Sequence, residues 1–490
     1  PEGFDRIEVL RGSGGSLYGS EAVAGVINLI TRQGASPPSG AVSVGGGNGS
    51  TDRETGGFSY AGEQGALAGS VTHIYTGGFG PAVPVDESGT IVTHNDDYES
   101  TMVSLRGDWK PTATGNLTAI GHFIQSDVGL LNASNFLGVL DPNARQHDAF
   151  YFAKLGWEDS PLPGLTYRID GAFVEDDQHY KDPPDVGNAA LTKSSIPSQT
   201  AQADAIATYA LGTLSLTTVG FQYTRRAADV SSFYSLSTPP DSIYDVSRQD
   251  FGVYGEQQIH LLEDALIAIG SVRYDHDQQF GDVTTPSGAI AGRLPWTGTR
   301  LRASYAEGFR APSFNELYFP HFGNPNLGPE RSSEWDAGFD QGLLEDRARV
   351  SFTYFDRRVK DEIVTVLVDP DTFTFAPENV GRVDAQGVEV SPSIDLGSGL
   401  TFGGAYTYLG IRSHGGPGPV LRRPNNLMSA FVNFAAPRVF SGADAFNARV
   451  DVLFVGDRPD VDPTTGAPGT NPQYTRVDLA LSYRLPRKVS

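Results

Sequence analysis

From Ala41 onward the chain alternates apolar and polar residues with a period of two, which in an extended strand gives each class its own face. Val103, Leu105 and Trp109 interleave with Ser104, Arg106 and Asp108. Ala149, Tyr151, Ala153, Leu155 and Trp157 repeat the pattern, as do Leu165, Tyr167, Ile169 and Phe173 against Thr166, Arg168 and Asp170. Near the end, Val450, Val452 and Phe454 alternate with Arg449 and Asp451, and Val477, Leu479, Leu481 and Tyr483 with Arg476 and Asp478. Many of these segments run about ten residues or more, whereas strands of soluble sandwiches are typically about five or six. A tilted strand needs about that greater length to cross a bilayer. The pattern predicts an all-β fold, a transmembrane antiparallel β-barrel with its greasy face toward lipid and its charged face toward a lumen.

The connections point the same way. Short turns at 62–65, 111–115, 160–164, 261–264, 295–298 and 342–346 alternate with long polar stretches at 77–97, 130–146, 179–198, 229–247, 309–331 and 357–382. Such alternation puts the tight turns at one end of a barrel and the large loops at the other. Counting strands in this way gives about twenty, an even number as bacterial barrels require.

Composition narrows the classes. Gly 58, Tyr 20 and Phe 27 beside Met 2 suit a turn-rich, aromatic-rich β protein. With Cys 0 there are no disulfides, thiolate metal sites or cysteine nucleophiles. A net charge of -22 and a pI near 4.7 argue against a nucleic-acid partner. The mean hydropathy of -0.26 is low because only alternate residues of a barrel strand face lipid. The chain opens at Pro1 within what reads as a strand, with no signal peptide, so a missing N-terminal part is expected.

The first residues carry the most specific signal. Phe4-Asp-Arg-Ile-Glu-Val-Leu-Arg-Gly12, followed by Gly15-Ser-Leu-Tyr-Gly-Ser-Glu-Ala-Val-Ala-Gly-Val-Ile-Asn-Leu-Ile-Thr-Arg32, resembles the closing segment of the plug domain of TonB-dependent outer-membrane receptors. Gly12, Tyr18, Gly19, Gly25 and Asn28 are the plug-motif residues, the glycines allowing tight turns against a barrel wall. A phosphate loop at Gly12-Ser-Gly-Gly-Ser16 is the rival reading; it lacks a following Gly-Lys-Ser/Thr, and the first lysine is Lys110. A second resemblance to the same family runs through Phe309-Arg-Ala-Pro-Ser-Phe-Asn-Glu-Leu-Tyr318, Gly323-Asn-Pro-Asn-Leu-Gly-Pro-Glu330 and Glu334-Trp-Asp-Ala-Gly338. Gly387-Val-Glu-Val390 and Asp395 match a later strand.

The resemblance implies the C-terminal part of a lumenal plug at 1–35 and a barrel at 36–490. It also implies about twenty of the family's twenty-two strands, a final hairpin being absent. A ring short of that hairpin would leave an open edge in lipid. On the matching positions Arg11 would face Asp336 and Glu389 in an electrostatic latch between plug and wall.

The implied function is transport into the cell, with no catalytic residue: capture of a scarce metal chelate, a ferric siderophore or cobalamin. The partners would be the TonB-ExbB-ExbD energy complex, reached through a segment upstream of Pro1, and outer-membrane lipid, with the receptor a monomer in the outer membrane. The sequence does not separate the two cargoes. Phe233, Tyr234, Phe319, His321 and Phe322 are candidate ligand contacts by loop position, and His321 stands where a haem receptor carries an axial ligand. No cofactor is required, although Asp176, Asp177, Asp182 and Asp185 could gather a structural calcium. The alternatives are a haem receptor, a passive porin or a barrel enzyme. A porin would have no plug, and Gly-x-Ser-x-Gly and His-Glu-x-x-His motifs are both absent.

Overall fold

The computed structural model describes residues 3–20, 22–23, 25–78, 96–134, 139–184, 190–235, 241–369, 374–415, 420–439, 444–461 and 467–485. An antiparallel hairpin comes first, β1 (Phe4–Arg11) and β2 (Gly25–Thr31), enclosing the one-turn helix α1 (Gly15–Tyr18). The first half of the ring is β3 (Ser39–Gly47), β4 (Thr51–Ala61), β5 (Gly65–Thr76), β6 (Tyr98–Trp109), β7 (Gly115–Ser134), β8 (Val139–Leu162), β9 (Leu165–Asp182), β10 (Thr192–Leu211), β11 (Ser215–Tyr234) and β12 (Asp241–Leu261). It continues through β13 (Leu266–Asp277), β14 (Gly281–Arg293), β15 (Arg300–Arg310), helix α2 (Phe314–Tyr318), β16 (Glu330–Leu343), β17 (Ala348–Asp369), β18 (Thr374–Gly397), β19 (Leu400–His414), β20 (Asn426–Pro437) and β21 (Ala445–Val455). A small hairpin of β22 (Arg458–Val461) and β23 (Pro468–Asn471) stands apart, and β24 (Tyr474–Arg484) completes the ring.

Neighbouring strands pair antiparallel in sequence order, and the sheet closes as a barrel with β24 beside β3. Twenty strands make this closed ring, so the open edge expected for a missing hairpin does not arise. The alternation read from the sequence is the wall itself. Val219 and Phe221 point outward and are 54% and 45% exposed, while the intervening Gly220 is buried. Trp109, Trp296 and Tyr60 stand exposed at or beside the short turns, as aromatic residues do at a membrane interface. Inward-facing polar residues satisfy one another instead, as in the Thr55–Thr72 and Thr208–Thr218 hydroxyl pairs. Among the described residues no helix is long and apolar enough to cross a membrane, which says nothing of a barrel.

The large loops differ from the expectation. The stretches at 130–146, 179–198, 229–247 and 357–382 are mostly the ends of strands that run 18 to 24 residues. At ~3.3 Å per residue, 24 residues span roughly 80 Å, far more than the ~30 Å hydrocarbon core requires even with tilt. Above the membrane both faces of a hairpin meet water, so the apolar alternation fades while backbone pairing continues. The sequence therefore reads as loop where the backbone is still sheet. Tight turns at 47–51 and 277–281 also lie at this end, so long and short connections are not strictly segregated.

Candidate functional site

The β1–β2 hairpin lies inside the ring and touches opposite parts of its wall. At one end Arg106 of β6 donates from Nη1 to Thr31 Oγ1 (3.0 Å), and the Phe4 ring sits 5.4 Å from that of His122 on β7. At the other end the loop around α1 meets β13 to β16. Ser13 shares a hydroxyl hydrogen bond with Ser332 (3.1 Å) and donates to the Val23 carbonyl (2.9 Å). Ser16 pairs with Ser287 (2.9 Å), and the Ala311 amide donates to Ser20 Oγ (3.2 Å). A Cβ on Gly15 would fall 2.8 Å from the Gly308 Cα, so only glycine lets the two backbones meet. Gly12, Gly19 and Gly25 have φ of 88°, 76° and 152°, conformations that a side chain disfavours. Asn28 donates to Glu8 across the hairpin (3.3 Å), and Tyr18 is half-exposed on α1.

A cavity of about 720 Å³ lies beside Val9 and Gly12, bounded by the wall from β15 to β19. Asp336 and Glu389, two of the expected latch residues, line it, and Asp336 accepts a hydrogen bond from Ser304. The Arg11 side chain lies outside the described residues. A further carboxylate reaches the hairpin, Glu334, which the sequence placed in a motif but not in the latch: a Cβ at Gly12 would be 3.2 Å from its Oε1. It is buried and accepts from Arg357 Nε. Period-two spacing was the available signal, because Ser332, Glu334 and Asp336 fall on one face of β16.

Above the hairpin, the segment 311–329 folds across the mouth. Helix α2 starts with a capping box: Ser313 Oγ accepts from the Glu316 amide, and the Glu316 carboxylate accepts from the Ser313 amide. Arg310 forks onto Glu316 (3.0 Å to each oxygen) and also reaches Glu330 (2.7 Å). Burial alone would raise the Glu316 carboxyl, but Arg310 and the Ser313 amide outweigh it and hold the group below the usual carboxylate range. Leu317 is 1% exposed and pins the helix. Ties then run both ways, from Tyr244 to Asn315 (2.5 Å), Arg248 to the Pro312 carbonyl (2.8 Å), Tyr318 to Gln279 (2.8 Å) and Asn324 to the Pro377 carbonyl (3.0 Å).

The structure divides the candidate ligand contacts. Phe319 and Phe322 form a T-shaped pair at 6.4 Å, and the exposed His321 between them has a φ of 61°. Phe233 and Tyr234 stand on the end of β11, opposite Lys193 and Thr192 of β10. Tyr244, Phe314, Tyr318 and Arg248, which sequence reasoning did not single out as ligand contacts, form an aromatic and cationic cluster at α2; Tyr318 pairs with Tyr244 and Phe314 at 6.4 Å each, and Arg248 lies 5.5 Å over the Phe314 ring. Phe314 and Tyr318 lie inside the motif at 309–318, which does not mark them as a cluster, and Tyr244 and Arg248 lie on β12 with no motif around them. The suggested calcium set is not brought together: Asp176 and Asp177 are adjacent on β9 and so face opposite sides, and Asp185 lies outside the described residues. Among the described residues no group of three or more His, Asp or Glu side chains is arranged to hold a metal.

Residues 39–490 match the family described as TonB dependent receptor-like, beta-barrel. The chain belongs to the TonB-dependent receptors. It is 25% identical over 497 aligned residues to the vitamin B12 transporter BtuB of Photobacterium profundum, covering 98% of this chain and 73% of that protein. Its fold is similar to that of the siderophore receptor PirA of Acinetobacter baumannii, with a TM-score of 0.78 at 17% identity, covering 98% of this chain and 79% of PirA. The ferric enterobactin receptor PfeA of Pseudomonas aeruginosa gives 0.77 at 18% identity, covering 99% and 78%. Members of this receptor family are transporters and receptors rather than enzymes, they depend on TonB, and the family implies an outer-membrane protein.

Proposed function

We propose that this receptor takes up a scarce metal chelate, a ferric siderophore or cobalamin, across the outer membrane, acting as a monomer driven by the TonB-ExbB-ExbD complex. The observation that carries this reading is the hairpin of β1 and β2 held inside the ring by contacts on opposite walls. A solute crossing the lumen meets that obstruction, so passage requires an energy source that moves it, which a passive pore would not need. The hairpin is read as the C-terminal part of a plug. Its similarity to a vitamin B12 transporter and to siderophore receptors supports the cargo class.

We place chelate binding at the loop end, on Phe319, His321 and Phe322 with Phe233 and Tyr234, where the exposed Phe319, Phe233 and Tyr234 rings can stack on a rigid ligand. Isothermal titration of the detergent-solubilised receptor with ferric siderophores, cobalamin and haem is the direct test. Saturable binding of one siderophore or of cobalamin, lost on Phe319→Ala with Phe322→Ala, is the expected result. Binding of haem alone, lost on His321→Ala, would replace the reading by haem uptake.

A further inference from the structure

Arg273 of β13 is only 1% exposed, an unusual state for a guanidinium. Its Nε donates to both oxygens of Asp275 (2.8 and 2.9 Å), and its Nη2 lies 2.7 Å from Asp275 Oδ1. Nη2 also donates to Gln222 Oε1 (2.8 Å). Gln222 in turn donates to Asp204 (2.8 Å), which Gln202 also holds (2.7 Å). The Tyr254 ring lies 5.6 Å from the guanidinium carbon. Hydrogen bonds within the wall thus fix the planar group along three strands.

The remaining face meets the hairpin loop. Nη1 donates to the Leu17 carbonyl at the end of α1 (3.4 Å), and a Cβ at Gly19 would fall 2.8 Å from Nη2. Gly252, on the neighbouring strand β12, likewise leaves room that a side chain would take from the guanidinium. Ser16 on Ser287 and Gly15 on Gly308 seat the same loop on the adjoining β14 and β15. On the β16 to β18 side, by contrast, the cavity of about 720 Å³ separates much of the wall from Val9.

We propose that Arg273 is a positioning residue that anchors the loop Gly14–Gly19 to the β13 wall. It acts through geometry rather than net charge, since Asp275 already balances it. It is a further fastening of the hairpin, built from a wall cation and hairpin backbone and distinct from the carboxylate side at Glu334.

The test is hydrogen exchange of the receptor in liposomes without ligand, so its outcome is independent of which cargo is carried. The amides of Tyr18 and Gly19 bond the Gly14 and Gly15 carbonyls and report the loop directly. In Arg273→Gln they should exchange about ten-fold faster or more, given what a hydrogen bond to a charged group contributes. Arg273→Lys should match it, because lysine keeps the charge but not the planar fork. Gly19→Ala, which alters only the hairpin side, should give the same acceleration, and the double variant should be no faster than either single one. Unchanged exchange in Arg273→Gln with ring strands still protected would overturn the proposal, as would wild-type behaviour of the lysine variant. If Arg273→Gln does not form a barrel, Arg273→Lys decides alone, and wild-type exchange in it overturns the proposal.

Discussion

Glu334 and Arg357 face each other directly in the register of β16 and β17, and the carboxylate of this pair stands beside Gly12 of the lumenal hairpin. The wall therefore presents a buried, hydrogen-bonded carboxylate where the hairpin backbone turns with positive φ. A side chain at residue 12 meets both a steric and a conformational obstacle. Gly12→Ala should loosen the hairpin by about 1–2 kcal/mol, the cost of a left-handed conformation for an L residue. Limited proteolysis across residues 4–31 in the folded barrel reads this out, and an unchanged cleavage rate would show that Gly12 is not a fixed contact.

The lipid-facing assignment has its own test. Val219 points outward on β11, whereas Thr218 points into the lumen and bonds Thr208. Val219→Arg should cost about 2–4 kcal/mol if it lies near the bilayer midplane, and Thr218→Arg far less. Refolding into liposomes, followed by the heat-modifiable shift on gels, compares the two. Equal tolerance would mean that Val219 does not touch hydrocarbon.

Two short turns share a sequence and a strained backbone. Leu262, Glu263 and Asp264 have φ of 53°, 55° and 65°, and Leu344, Glu345 and Asp346 have 56°, 59° and 64°. Glycine takes this conformation without the Cβ penalty of about 1–2 kcal/mol, less its own entropic cost of roughly 0.5–1. Glu263→Gly and Glu345→Gly should each stabilise the barrel by about 0.5 kcal/mol on that difference. Thermal melting of the single and double variants measures it, and a fall in melting temperature would refute it.

Acid should release the segment over the mouth. The Glu316 carboxyl is held below its usual range, so its native interactions favour the folded form at pH values above the unfolded-state value. That contribution is lost as pH falls through the depressed native value. Exchange protection of α2 should therefore fall as the pH drops below about 4.3, the ordinary glutamate value, and the step should be absent in Glu316→Gln, which is loosened at every pH. A step that persists in the variant would assign the transition to another group.

Anchoring by Leu317 is separable from that charge cluster. Leu317→Ala should cost the loop about 2–5 kcal/mol, the range for truncating a buried leucine. Protease sensitivity confined to 311–329, with the ring intact, is the expected pattern. General loss of the barrel would mean that the segment is integral to the ring.

The sequence by itself determined the barrel, its lipid and lumen faces and the short turns, because a period of two is a local property of an extended chain and needs no knowledge of its neighbours. It also marked the glycines of the hairpin, since Gly12, Gly19 and Gly25 sit in a motif that resembles one family's. What only the tertiary structure decided is who meets whom across the lumen. Arg273 and Leu17 are 256 positions apart, and Ser13 and Ser332 are 319 apart. Nothing local in either segment encodes such a partner. Even Glu334, left out of the latch, was visible as a carboxylate on the correct face, yet its nearness to Gly12 depends on how far the closed ring turns before the hairpin reaches the wall. The long hairpins beyond the membrane were hidden for the opposite reason: their pairing lies in backbone hydrogen bonds, and with water on both faces the side chains leave no alternation to read.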